Sequence, residues 1–271
     1  KCFHQGAKLG RFGIMQALKY LDRMPFPKLS WVHQTNVYEV NLRQFTPEGS
    51  VIAFMRHMPR LKEMGVHTLW FMPVTPISVY KRKGSLGSFY ACSDYRSFSP
   101  EFGTLHEFKA LVQLAHEMGM KVIIDWVANH TGADHVWTTA HPDFYHRNEL
   151  GECYDRNGWD DVYDLNYAYQ PLRDEMIACM KFWVRETDID GFRCDMAMLT
   201  PVDFWNEART KVDAVQKLFW LAECDQWNEP AYLEVFDAAY TWKWMHATQE
   251  YYQRSFPIHT LVDTLYSYNG L

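Results

Sequence analysis

Short apolar segments alternate with longer amphipathic segments along this chain from residue 36 onward. Six apolar segments have the length of β-strands, at residues 36–41, 67–72, 121–127, 189–193, 217–222 and 233–240. Helices are predicted between them at residues 51–64, 104–119, 171–185 and 201–212, and a further helix continues to about residue 252. Buried strands that alternate with helices are typical of a parallel sheet covered by helices.

Local signals mark the ends of these helices. Gly65 and Gly119 each follow an amphipathic segment, and glycine commonly ends a helix. Thr104 begins a helix, and Glu107 three residues later completes a capping box.

The chemistry-bearing residues of this pattern favour a barrel over a doubly wound sheet. Acidic residues recur at the C-terminal ends of successive strands, where the active sites of (β/α)₈ barrels lie, and no glycine-rich phosphate loop follows the first strand. We predict an α/β fold of the (β/α)₈ TIM-barrel type that is incomplete, with about six βα units. Residues 31–130 and 170–271 form the barrel domain, residues 131–169 form a small excursion domain after the third strand, and residues 1–30 form an N-terminal arm.

Composition narrows the classes of function. The chain of 271 residues has a net charge of −6, which argues against a nucleic-acid partner, and no apolar stretch of about 18 residues predicts a membrane span. The aromatic content of 16% is high and fits either a well-packed core or a sugar-binding cleft. The cysteines lack CxxC and metal-ligand spacing, so we predict free thiols and a cytoplasmic location, or a periplasmic or secreted one with the signal removed. They are Cys2, Cys92, Cys153, Cys179, Cys194 and Cys224.

Two carboxylates follow neighbouring strands. Asp195 closes the segment GFRCD, and Glu223 closes the segment LAE one strand-helix unit later. Paired carboxylates that face one cleft are the groups that cleave glycosidic bonds. Arg193 lies two residues before Asp195 and therefore points to the same side of the strand, where its guanidinium is expected to keep Asp195 ionised. A structural ion pair in a barrel core is the alternative interpretation.

Five motifs in order resemble the catalytic barrel of the α-amylase family of glycoside hydrolases (family 13). They are DWVANH at residues 125–130, GFRCD at 191–195, the acid at 223, YDLN at 163–166, and the loop that contains GSFY at 87–90, DY at 94–95 and FG at 102–103. The resemblance covers roughly residues 36 to 255 and implies a retaining mechanism on α-glucans.

The resemblance assigns roles to single residues. Asp195 is implied as the nucleophile, and Glu223 as the general acid and base, whose protonated form its apolar neighbours 219–221 are expected to favour. His130 is implied to hydrogen-bond the sugar and Tyr90 to stack on it, whereas a core histidine and a packing tyrosine are the plain alternatives. Asp125 is expected to be a structural hydrogen-bonding residue close to the site.

Many members of this family bind Ca²⁺ where the excursion domain meets the barrel. Asn129 and Asp164 occupy the matching positions, but two residues do not supply the six to eight oxygens that calcium needs. The Lys or His that follows the nucleophile in many members is replaced by Met198 and Leu199. Calcium therefore stays an open alternative, and no organic cofactor is implied.

The resemblance also implies a third carboxylate, preceded by His at the end of a seventh strand, and nothing here matches it. His259 and Asp263 are separated by three residues in a segment that does not resemble a strand. We therefore expect an inactive or weakly active fragment of an oligo- or polysaccharide hydrolase, a chain completed by self-association or another chain, or a degenerate member. A transglycosylase or isomerase and a non-catalytic glycan-binding protein are the alternatives; a metal-dependent barrel hydrolase lacks partner histidines.

Overall fold

A computed structural model of the chain describes residues 26–225, 229–254 and 257–268. Its strands, in chain order, are β1 (Val37–Val40), β2 (Thr68–Phe71), β3 (Lys121–Trp126), β4 (His130–Gly132), β5 (Val162–Asp164), β6 (Gly191–Cys194), β7 (Phe219–Asp225) and β8 (Ala238–Tyr240). Six of them form one sheet in the order β1-β2-β3-β6-β7-β8, and all neighbouring pairs are parallel.

The helices, in chain order, are α1 (Leu42–Phe45), α2 (Val51–Met55), α3 (Met58–Glu63), α4 (Leu105–Glu117), α5 (Val136–Ala140), α6 (Gln170–Thr187), α7 (Val202–Asp213), α8 (Trp242–Arg254) and α9 (Ile258–Ser267). The predicted α/β alternation is confirmed. Thr104 and Glu107 form the predicted capping box of α4. Among the described residues, no helix is long and apolar enough to cross a membrane, and the cytoplasmic location stays a prediction.

Alternate residues of the strands face two different surroundings. The residues Leu69, Phe71, Val122, Ile124, Phe192 and Trp220 point into the large core between sheet and helices. A second, smaller cluster consists of Trp70, Ile123, Phe219 and Leu221, and Leu29, Trp31 and Val32 pack against it. This second cluster is the inner face of a curved sheet, which in a barrel becomes the interior.

Close contact between β6 and β7 depends on a glycine. A Cβ atom on Gly191 would lie 2.1 Å from the carbonyl oxygen of Phe219, so no larger residue fits without moving a strand. The residues that follow on these two strands, Arg193 and Leu221, are register partners.

Two predicted elements differ from those observed. The helix predicted over 51–64 is two short helices, α2 and α3, because Pro59 in the first turn of α3 has no N–H with which to continue the preceding helix. The sixth strand is only Ala238–Tyr240, and the 3₁₀ helix Pro230–Glu234 precedes it where the strand was predicted to begin.

The excursion segment, residues 131–169, contains a small sheet of its own. Strands β4 and β5 pair antiparallel, with His130 opposite Asp164. The domain boundaries stay a prediction, and residues 1–25 of the expected N-terminal arm lie outside the described residues. In the described part of the chain, β1 and β8 are the edges of the six-stranded sheet, so these strands form an open sheet rather than a closed barrel.

Candidate active site

Four charged residues lie together at the C-terminal ends of three adjacent strands. Asp125 is on β3, Arg193 is on β6 with Asp195 directly after it, and Glu223 is on β7. Because β3, β6 and β7 are parallel neighbours, their carboxyl ends meet at one edge of the sheet. The predicted pair of carboxylates is thus brought into one place.

Arg193 connects all three acids. Its Nη1 lies 2.7 Å from Oδ1 of Asp125 and 2.8 Å from Oδ1 of Asp195, and its Nη2 lies 2.7 Å from Oε2 of Glu223. Its Nε donates to the hydroxyl of Tyr240 at 3.2 Å, and its guanidinium carbon lies 4.9 Å from the centre of the Trp70 ring. The guanidinium is therefore held from several sides and has little freedom to move.

Burial dominates the protonation of the two aspartates. It raises the pKa of Asp195 well above its usual range, and Asp125 adds to this rise, whereas Arg193 opposes it. Burial likewise raises the pKa of Asp125 to about 7, against the opposing charge of Arg193. Arg193 was expected to keep Asp195 ionised, and it does lower the pKa of Asp195. This effect is outweighed, because one cation divided among three acids does not offset their burial and mutual repulsion.

Glu223 has polar neighbours, so its expected apolar surround is wrong. Its Oε2 accepts the backbone N–H of Met196 at 2.8 Å in addition to its contact with Arg193. Met196 has a left-handed backbone (φ 38°, ψ 50°), which turns this N–H back toward β7. The apolar residues Phe219 and Leu221 lie lower on the same face of β7, away from its carboxyl end.

Arg193, Asp195 and Glu223 form the floor of a cleft with a volume of about 380 Å³. Tyr90 stands on one wall, and its hydroxyl donates to Oδ2 of Asp125 at 3.3 Å. The cleft is lined by Lys83, Ser88, Tyr90, His130, Trp159, Asp161, Val162, Arg193, Asp195, Met196 and Glu223. The residues predicted for catalysis and for substrate binding, Asp195, Glu223, Tyr90, His130 and Arg193, therefore all face one cavity.

His130 is buried in the wall of the cleft. Burial lowers its pKa to about 4, so the ring is neutral at physiological pH. Its ring meets the ring of Trp159 edge-on, with 5.3 Å between centroids, and its Nδ1 lies 3.2 Å from Nδ2 of Asn129. A neutral imidazole held in this way can exchange hydrogen bonds with a hydroxyl-rich ligand.

A family model described as the catalytic domain of α-amylase matches residues 34–217. The chain belongs to the α-amylase family. Among curated relatives, α-amylase 3 of Dictyoglomus thermophilum is 28% identical over 194 residues, which is 62% of this chain and 37% of that protein. The oligo-1,6-glucosidase of Parageobacillus thermoglucosidasius is 27% identical over 203 residues, 61% of this chain and 35% of that protein.

Solved structures of α-amylases share the fold. The α-amylase of Lactobacillus plantarum has a TM-score of 0.83 and 35% identity, covering 88% of this chain and 60% of that one. The maltogenic α-amylase of Thermotoga neapolitana has a TM-score of 0.80 and 36% identity, covering 85% of this chain and 55% of that one. The chain thus spans 37% of the length of the first curated relative and 60% of the first solved structure, and the prediction of an incomplete α-amylase barrel is confirmed.

Sequence reasoning missed several cleft residues of this family member. Trp159 and Asp161 belong to the excursion segment, and Lys83 belongs to the long loop after β2. Nζ of Lys83 lies 2.9 Å from carboxylate oxygens of both Asp160 and Asp161, so this ion pair joins the two segments across one side of the cleft. A tryptophan followed by two acids in a polar segment was the available signal. Tyr240, which does not line the cleft but accepts a hydrogen bond from Arg193, was also missed. Its position at the end of the sixth strand was the available signal.

Asn129 and Asp164 lie side by side as the resemblance implies, but their donors do not suit calcium. Nδ2 of Asn129 donates to Oδ1 of Asp164 at 3.3 Å. The backbone N–H of Arg156 donates to Oδ2 of Asp164 at 3.0 Å, and Nε of Arg156 lies 2.5 Å from the same oxygen. Within the described residues, no group of three or more His, Cys, Asp or Glu side chains is placed to hold a metal.

A third acid, Asp125, lies buried beneath the cleft on a different strand than the resemblance implies, and it does not line the cleft itself. His259 and Asp263 are exposed on α9 and do not face the cleft. Asp125 contacts both Arg193 and Tyr90, which do line the cleft. Its place agrees with the expected structural role close to the site.

Proposed function

We propose that this cleft is the catalytic site of a retaining glycosidase that cleaves α-glucosidic bonds of starch-like α-glucans. The observation that carries the proposal is that Asp195 and Glu223 both contact the guanidinium of Arg193 at the cleft floor. One guanidinium holds their carboxylates close together. This favours the separation of about 5–5.5 Å found in retaining enzymes over the about 6.5–9.5 Å of inverting ones.

The names of the relatives support the substrate class. They include α-amylase, oligo-1,6-glucosidase, cyclomaltodextrinase and maltogenic α-amylase. Because the chain spans well under half the length of these curated relatives, its activity, substrates and partners are proposals. The cleft offers rings and polar groups suited to a sugar, with Tyr90 and Trp159 as apolar surfaces and His130 as a hydrogen-bonding group.

The proposed reaction has two displacement steps. A carboxylate oxygen of Asp195 attacks the anomeric carbon while Glu223 gives its proton to the departing glycosidic oxygen, so that a glycosyl ester forms as the glycosidic bond breaks. Glu223 then removes a proton from water, the water oxygen attacks the same carbon, and Asp195 leaves with the bonding electrons. Configuration at the anomeric carbon is retained because it is inverted twice.

The charges of the site suit this proton cycle. Three carboxylates share one guanidinium, and their repulsion together with burial raises the pKa values of Asp125 and Asp195. Burial and repulsion therefore favour retention of a proton by the coupled aspartates. Which acid carries it in the resting enzyme is a property of the group rather than of one residue.

Hydrolysis and glycosyl transfer use the same covalent intermediate, and they differ in whether water or a sugar accepts the glycosyl group. A non-catalytic glycan-binding protein is the third candidate function.

We expect weak turnover from this chain alone, because among the described residues none of the acids that line the cleft follows a histidine. Self-association that covers the open sheet is the corresponding proposal for a partner.

Covalent labelling tests the proposal even where turnover is weak. The chain is incubated with an activated fluoro-sugar α-glucosyl donor, and its intact mass and peptides are measured. We expect one glycosyl adduct, located on Asp195, and none on D195N. D143N, which changes an exposed acid outside the cleft, is the matched control and should be labelled normally. An adduct elsewhere, or equal labelling of D195N, would refute the retaining mechanism at this site.

A further inference from the structure

We infer that Arg156 provides the positive charge that stabilises the junction between strand β3 and the excursion segment, at the position where the family resemblance implies calcium. The inference rests on the contacts of Asp164 and does not depend on the proposed catalytic activity. Two consequences follow: the folded chain does not need calcium for its stability, and Arg156 helps to position His130.

The buried carboxylate of Asp164 needs a compensating charge. Asp164 has no exposed surface, whereas the side chain of Arg156 is 49% exposed and reaches inward to it. An isolated buried carboxylate is costly unless it is paired and hydrogen-bonded. Arg156 meets this need with both its side-chain Nε and its backbone N–H.

The remaining acceptor capacity of Asp164 is small. A carboxylate has about four lone-pair sites, and three N–H groups already point at them, two from Arg156 and one from Asn129. Calcium would need those same oxygens and would bring two positive charges next to the guanidinium. The two cations therefore compete for one carboxylate, and the covalently attached arginine is always present.

Neighbouring groups do not complete a calcium shell either. One Asp155 oxygen already accepts the backbone N–H groups of Asn157 and Trp159. After the predicted nucleophile, Met198 and Leu199 bring no side-chain oxygen. The carbonyl oxygen of Met198 accepts the hydroxyl of Tyr232 at 3.3 Å. Calcium requires six to eight oxygens.

The ion pair continues through Asn129 to the cleft. Nδ2 of Asn129 contacts both Oδ1 of Asp164, at 3.3 Å, and Nδ1 of His130, at 3.2 Å. His130 is also the register partner of Asp164 across β4 and β5. Arg156 thus fixes Asp164, which fixes the amide that orients the imidazole in the cleft wall. Loss of Arg156 should change the surroundings of the His130 ring although the two residues are not in contact.

Thermal unfolding with and without calcium tests the first part of the inference. The wild-type chain, stripped with EDTA, should melt at the same temperature before and after calcium is added. R156M should melt roughly 5 °C lower under both conditions, and R156K, which keeps the charge but loses the Nε contact, should lie between. The matched control is R147M, because Arg147 lies in the same segment and its side chain donates to the backbone oxygens of Pro142 and Gly151 rather than to an acid. R147M should melt within about 1 °C of wild type.

Histidine ring NMR tests the second part. The His130 signal, assigned by its loss in H130Q, should shift in R156M and remain in place in R147M. A melting temperature that falls in EDTA and recovers in calcium would overturn the inference, because it would show a calcium site. An R156M chain that melts with the wild type and keeps its His130 signal would also overturn it. If R156M does not fold, R156K is compared in the same two measurements.

Discussion

Asp125 and Asp195 share a single nitrogen atom, Nη1 of Arg193, which lies 2.7 Å from one carboxylate and 2.8 Å from the other. The two acids come from adjacent strands, β3 and β6, and meet only because the parallel register aligns the ends of these strands. Two buried carboxylates at one donor repel each other, so at least one of them favours its protonated form. This relationship controls the pH dependence of the site.

The pH dependence of stability should reveal Asp125. Its pKa of about 7 in the folded chain lies above the about 3.9 of an unfolded aspartate, so the native state holds the extra proton between these values. The stabilisation from Asp125 is complete below about pH 4 and is lost as the pH rises through about 7. The free energy of unfolding of wild type minus that of D125N should therefore decrease over this interval, measured by urea denaturation.

His130 changes the free energy of unfolding with pH in the opposite direction to Asp125, but its contribution cancels when D125N is subtracted from wild type. Its pKa is lowered to about 4, so it favours folding more as the pH rises toward the unfolded value of about 6.5. Because both D125N and wild type contain His130, its contribution cancels in the difference. A difference that is flat, or that increases with pH, would contradict proton retention by the coupled pair Asp125 and Asp195, from which D125N removes one carboxyl group.

Removal of Arg193 should destabilise the chain and abolish labelling of Asp195. R193M leaves three acids without a cation and should lower the free energy of unfolding by about 3–5 kcal/mol. This loss should be smaller at low pH, where the acids are protonated. R193K should recover part of the stability but not the labelling, because an ammonium group cannot contact all three acids in the geometry of a guanidinium.

Substitution of a second buried arginine, Arg209, separates the effect of lost stability from the effect of losing Arg193 in the cleft. Arg209 pairs with Asp213 and Asp237 and is as buried as Arg193, but it does not line the cleft. R209M should lose stability to a similar extent and still be labelled at Asp195 at a temperature where it is folded. If R209M also lost labelling, the effect of R193M would be explained by stability alone.

Trp159 should contribute to the affinity for oligosaccharides. W159A removes an apolar ring from the cleft wall and from its edge contact with His130. We expect maltotriose to bind about 10-fold more weakly, as measured by isothermal titration calorimetry, which corresponds to about 1.4 kcal/mol. W242A, which changes a tryptophan at the start of α8 outside the cleft lining, is the control. Equal affinities of W159A and wild type would exclude Trp159 from the sugar site.

Substitution of Met196 by glycine should raise the stability of the chain and lower the rate at which Asp195 is labelled. A left-handed backbone costs a residue with a side chain about 1–2 kcal/mol, so M196G should stabilise the chain by about 0.5–1 kcal/mol after the entropy cost of glycine. Its more mobile N–H should hold Glu223 less firmly and slow labelling. K81G relieves a similar backbone (φ 58°) outside the cleft lining and should leave labelling unchanged. Equal labelling rates for M196G and wild type would refute the role of this N–H.

The apolar segments predicted the strands, and the acids after them predicted the floor of the cleft, because both depend on local pattern. The apolar residues before Glu223 predicted an apolar surround for it, but they could not show that Arg193 of the neighbouring strand β6 meets Glu223. That contact depends on register between strands, which the sequence of one strand does not contain.

The walls of the cleft were less predictable than its floor. Trp159 and Lys83 reach the cleft from long segments without regular periodicity, and their positions depend on how these segments fold back. Asp164 was placed correctly beside Asn129, but the partner that neutralises it, Arg156, lies eight residues away in an irregular loop. The motif identifies Asp164 itself but not a charged partner that lies in an irregular loop outside the motif.

The single guanidinium at the cleft floor also has a consequence for small cations. With three carboxylates around Arg193, retention of one proton leaves the group with a net negative charge. A negatively charged floor attracts cations that have the size and hydroxyl groups of a sugar. Two examples are the oxocarbenium-like ring of the proposed reaction and a protonated polyhydroxylated amine. The buffer Tris is a polyhydroxylated amine of this kind, so we expect its protonated form to bind in the cleft and compete with sugars.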